Sequence, residues 1–181
     1  QVGELNGSAV IGVKKREGRK DMFPHVGGYS TIKVLSSNKG SLKLRLTYEH
    51  EVTEQVGTNA DGSPKLKIKN KKETAAAPDV EKFTKLNVYT WKLPDTTSNI
   101  KLYLSGRTEI YAISVDGSYG VAVDNVAMRG SSGTVFHKID SKLLAESYKA
   151  MNAKLIIMEY GGNKGPSMTP KNLDWSKKLI N

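Results

Sequence analysis

The chain has 181 residues, no cysteine and a formal charge of +10, with 25% charged and 38% hydrophobic residues. That length suits one ordinary domain, or one medium domain plus part of another. The missing cysteine excludes thiol catalysis, disulfides and cysteine-ligated zinc or iron–sulfur sites, and no run approaches the roughly 18 apolar residues of a membrane-crossing helix.

The N-terminal residues Gln1-Val2-Gly3-Glu4 carry neither a basic n-region nor an apolar h-region, which reads as a mature or excised chain. Basic residues then gather at Lys14, Lys15, Arg16, Arg19 and Lys20. Residues 8–14 read as a first strand with Val10, Ile11 and Val13, and residues 29–35 as a second with Ile32 and Val34. Residues 41–48 show the cleanest two-residue period: Leu42, Leu44 and Leu46 alternate with Lys43, Arg45 and Thr47. Residues 65–71 alternate in the same way, with Lys65, Lys67, Lys69 and Lys71 set against Leu66, Ile68 and Asn70. Lysines so placed belong to a solvated strand face and discourage edge pairing. Residues 83–93 carry Phe83, Leu86, Val88, Tyr89 and Trp91, and residues 100–104 carry Ile100, Leu102 and Leu104. Gly27-Gly28, Asn38-Lys39-Gly40, Asn59-Ala60-Asp61-Gly62 and Pro94-Asp95 punctuate these runs as turns. Residues 1–117 therefore read as mainly β, a β-sandwich of jelly-roll-like character.

From residue 118 the texture changes. A strand is expected at 120–128, then a helix at 141–151 with Leu144, Tyr148 and Met151 on one face and Asp140 or Ser141 as the cap. Leu155-Ile156-Ile157-Met158 is an apolar run without alternation, as in a parallel strand covered on both faces. Gly161-Gly162-Asn163 reads as a loop, and Thr169-Pro170 opens another helix holding Leu173, Trp175, Leu179 and Ile180. The order is βαβα. Two parallel strands leave both sheet edges unpaired, so residues 118–181 read as an incomplete α/β segment.

In an open α/β sheet the functional crevice lies beyond the carboxyl ends of the strands. The loops expected there hold Gly130 and Asn163. An oxyanion hole needs fixed neutral donors of this kind, a backbone N–H and a side-chain amide. The same residues would equally serve as tight turns, at Gly130, Gly133 and Gly162, and as a helix-side cap at Asn163.

Residues 123–134 resemble the second conserved block of SGNH (GDSL-like) hydrolases, and residues 155–163 resemble the third, an apolar strand running into Gly-x-Asn. The resemblance implies a flavodoxin-like α/β hydrolase segment. In it Gly130 donates its backbone N–H and Asn163 its side-chain N–H to the oxyanion. Lys164 stands where the family usually has Asp after the Asn, and neither a Gly-Asp-Ser nucleophile block nor an Asp-x-x-His block occurs in the 181 residues. Of His25, His50 and His137, His137 follows the second-block loop and is the one weighed as a base; none has an Asp three residues before it.

Some bacterial family members, peptidoglycan and polysaccharide O-acetylesterases, carry a carbohydrate-binding-module-like β-sandwich before the second block. The chain's order matches a piece of such an enzyme. The resemblance thus implies an ester hydrolase of acetylated carbohydrate or peptidoglycan, periplasmic or extracellular, with its serine elsewhere. It implies no cofactor, no metal and no nucleic-acid partner; the partners are the ester substrate and the remainder of the hydrolase domain. Two other classes stay open: a non-catalytic glycan-binding sandwich using Trp91, Tyr89 or Tyr103, and a basic nucleic-acid binder. The second fits less well, since the aromatic residues and lysine runs are not interleaved.

Overall fold

The computed structural model describes residues 3–14, 28–124, 138–159 and 169. The chain divides into two compact units, Gln1–Ala122 and Val123–Asn181. Strands make up 58% of the described residues, in a curled antiparallel sheet.

The sheet has seven strands: β1 (Gly3–Lys14), β2 (Thr31–Ser37), β3 (Ser41–Thr58), β4 (Pro64–Thr74), β5 (Asp79–Lys82), β6 (Leu86–Lys92) and β7 (Asn99–Asp116). Pairing runs β4 to β3, β3 to β7, β7 to β2, β2 to β6 and β6 to β5, with β1 also on β7. β7 organises the rest. β1 lies along one edge of it without a register break, from Gly3 opposite Ile110 to Lys14 opposite Asn99. Ile110 also pairs with Ser36, and Leu104 pairs with both Ala9 and Leu44. β2 and β3 therefore follow one another along the second edge of β7.

Between them lies a bulge. Ser36 is opposite Ile110 and Ser41 is opposite Arg107, so residues 37–40 face only 108 and 109. Such insertions bend and twist a strand. Gly40 takes φ +89°, and a Cβ there would sit 2.1 Å from the Arg107 carbonyl oxygen. Gly106 takes φ +143°, with a Cβ position 2.1 Å from the Ser41 carbonyl oxygen. Only glycine satisfies both demands at either place. The Thr108 hydroxyl closes the bulge by donating to the Lys39 carbonyl at 2.9 Å.

The apolar positions expected from alternation form the core: Ile32, Val34, Leu46, Trp91, Ile100, Leu102 and Leu104 pack together. The buried Trp91 donates its indole N–H to the Ala76 carbonyl at 3.0 Å. β2 and β6 are covered on the opposite face as well, since Leu35, Leu86 and Val88 are also buried. Beyond residue 50 the long strands β3 and β4 pair only with each other, forming a two-stranded ribbon closed by residues 59–63.

In the second unit the expected helix is present as α1 (Ser141–Ala150). Asp140 is its cap, accepting from the backbone N–H groups of Lys142 at 2.9 Å and Leu143 at 3.1 Å. The C-terminus closes through Asn152 at φ 56°, with Asn152 N–H donating to Lys149 and Ala153 N–H to Tyr148, a Schellman closure with Asn in place of Gly.

The expected tail strands differ. Residues 121–124 form no strand, and Val121 and Val123 are exposed. Residues 153–159 form no strand either, with Leu155 77% and Ile157 82% exposed. A parallel strand draws its stability from neighbours on both sides, and the described residues offer this run none.

Candidate functional site

The structure first bears on the loops expected to hold Gly130 and Asn163 through the segment joining them in sequence. α1 stands between the two, anchored at both ends by the cap and closure just described. Gly130 and Asn163 lie outside the described residues, as do His25, His137, Gly133, Gly162 and the helix expected from 170.

His50 is the histidine the structure does describe. It lies inside β3, opposite Lys71 of β4, and it is buried. Its Nε2 lies 3.5 Å from Glu73 Oε2 and makes no hydrogen bond among the described residues. Glu73 is already engaged: Lys71 Nζ reaches Oε1 at 2.7 Å and the Tyr48 hydroxyl donates to Oε2 at 2.9 Å. Lys71, then Tyr48, hold the Glu73 carboxyl below the usual carboxylate range. Burial, then the bond to Glu73, push the Tyr48 phenol up, while Glu73 raises the Lys71 ammonium. The Tyr48 and His50 rings stand 5.3 Å apart, centroid to centroid. This is a polar clamp at the root of the β3–β4 ribbon. A catalytic base needs a nucleophile within hydrogen-bond reach, and His50 faces a carboxylate and a tyrosine ring.

The aromatic residues weighed as sugar platforms separate clearly. Trp91 is only 4% exposed and belongs to the core; Tyr89 packs against that core. Tyr103 alternates outward, between the buried Leu102 and Leu104, and carries the Arg45 guanidinium 3.9 Å above its ring centroid. Lys43, Lys101 and Arg107 share that outward side by register and are exposed. Sequence reasoning missed this grouping. The outward alternation of Lys43 and Arg45 was visible, but only the register of β3 on β7 sets Arg45 opposite Tyr103.

Among the described residues no group of His, Asp and Glu side chains could hold a metal ion. Nor is any described helix long and apolar enough to cross a membrane. Compared with known protein families, curated proteins and solved structures, the chain matches none.

Proposed function

We propose that this chain is part of an SGNH-type ester hydrolase acting on acetylated carbohydrate or peptidoglycan in a bacterial periplasm or outside the cell. Residues 1–117 are its carbohydrate-binding-module-like β-sandwich, of jelly-roll type. Residues 118–181 are a part of its flavodoxin-like α/β segment. A serine outside residues 1–181 attacks the ester carbonyl, and Gly130 N–H and the Asn163 amide hold the resulting oxyanion. No cofactor or metal takes part.

The observation that carries this reading is α1, a helix closed at both ends, placed in sequence between the two glycine-bearing blocks as the family order requires. The exposed apolar run 155–158 adds support, because neighbouring parallel strands would cover it. A non-catalytic glycan-binding sheet is the second reading. It loses Trp91 to the core but retains Tyr103, on an exposed basic face.

The test is Asn163→Ala in the product of the whole parent gene, with turnover of p-nitrophenyl acetate and thermal midpoint both measured. An oxyanion donor lost to Ala lowers turnover by about 10²–10³ and leaves the midpoint in place. A capping asparagine behaves in reverse, costing about 1 kcal/mol of stability and little activity. A destabilised, fully active variant overturns the proposal.

A further inference from the structure

The outward side of β1, β7 and β3 is a basic field. Along β7 its rows are centred on Lys101, Tyr103, Ser105 and Arg107, and β3 sets Arg45 beside Tyr103 and Lys43 beside Ser105. β1 adds only uncharged residues to those rows, among them Ser8 and Val10, the latter 60% exposed. No carboxylate interrupts these rows. Acids appear only at the two ends, where Glu49 accepts from Asn99 and where Glu4 pairs with Glu109. Lys43, Arg45, Lys101 and Arg107 form no ion pair among the described residues. Spacings of about 7 Å along a strand and about 5 Å across it spread the four charges over one face of the sheet. The sequence does not oblige the chain to collect positive charge on one face, and clustered like charge costs stability unless an anion meets it.

We infer that this face docks an acidic polysaccharide, its carboxylates meeting Arg45 and the neighbouring cations. Tyr103 is a positioning residue. Its ring fixes the Arg45 guanidinium flat, so that the planar fork is ready for two parallel bonds to a carboxylate. One ring already covered by arginine is no stacking platform for the successive bases of a single strand. An extended carboxylate polymer needs no such platform. The choice of a glycan rests on the hydrolase reading above; the charge pattern does not.

The experiment is binding of polygalacturonate to the 181-residue chain at low salt, beside highly methyl-esterified pectin and a DNA duplex. Polygalacturonate is expected to bind at least about tenfold more tightly than the esterified polymer, the effect of losing charge-assisted hydrogen bonds. Arg45→Ala should weaken it by about tenfold, Arg45→Lys by less, and Tyr103→Ala more than Tyr103→Phe, because a phenyl ring still carries the guanidinium. Lys67→Ala with Lys69→Ala, on the ribbon, should change nothing. All these side chains point outward, and an unchanged circular dichroism spectrum checks the fold. Equal retention of both pectins, indifference to Arg45→Ala, or tighter binding of the duplex overturns the inference. An active full-length esterase whose 181-residue portion ignores polygalacturonate sinks this inference alone. Binding without esterase activity sinks only the hydrolase reading.

Discussion

The sheet and the tail treat their apolar residues in opposite ways. In β3 and β7, alternation sends Leu46, Leu102 and Leu104 to one side, where each meets a partner across the register, and all are buried. In residues 155–158 the apolar residues are consecutive, and they stand exposed. Alternation lets an antiparallel sheet bury one face by curling on itself. A continuous run needs cover on two faces and a strand on each edge, and so depends on elements far along the chain. The two regions differ less in hydrophobicity than in how much of their environment they carry with them.

Core truncation against tail truncation breaks or keeps this contrast most sharply. Leu46→Ala or Ile32→Ala should cost about 2–5 kcal/mol in denaturant unfolding of the chain. Ile157→Ala, at an exposed site, should stay within about 0.5 kcal/mol. Equal losses would mean that the tail run is packed as firmly as the sheet.

The bulge gives the next largest effect. Gly106→Ala adds a left-handed strain of about 1–3 kcal/mol to a collision with the Ser41 carbonyl, whereas Gly7→Ala, at φ +115°, meets nothing within 4 Å. The thermal midpoint should fall further for Gly106→Ala than for Gly7→Ala. Equal falls would show that strain alone, not the close crossing of β7 and β3, decides the cost.

Asp140→Ala removes the cap of α1 and should cost that helix about 1 kcal/mol. Helical ellipticity should drop while the unfolding transition of the sheet stays put. A shift of both together would show that the two regions unfold as one.

The smallest effect is one of pH. Glu73 titrates below the ordinary carboxylate range because Lys71 and Tyr48 hold its charged form. Its contribution is therefore present above the unfolded carboxylate value and is lost as pH falls through the depressed folded value. Glu73→Gln should flatten the acid limb of the stability curve, read from melts across that range. An unaltered acid limb would remove Glu73 from the ribbon's stability.

How much of this was legible beforehand follows the same contrast. The strands at Ile32, Leu42–Leu46 and Ile100–Leu104 were readable because period-two alternation is local. So was α1, since Asp140 and the spacing of Leu144 and Tyr148 lie within one segment. β5 was not, being four residues without alternation. Nor was the true reach of β7 to Asp116, because past Leu104 the pattern shifts face at the break opposite residues 35 and 36. The burial of Leu35 beside Val34 reflects cover on both faces of β2, which no periodicity announces. For the proposed site, residue types and order were legible at Gly130 and Asn163, while the charged face emerged only once register set Arg45 against Tyr103.

The pairing of β1 has a consequence in time. Its twelve residues are made before the other strands of this sheet, yet their partner among the described residues is β7, which ends more than a hundred residues later. Every pairing β1 makes with β7 closes a loop of most of the first unit, and such long-range closures slow folding. On a ribosome adding about 5–20 residues per second, β1 waits several seconds for the strand that pairs with it. Within this sheet it is synthesised first and joined last.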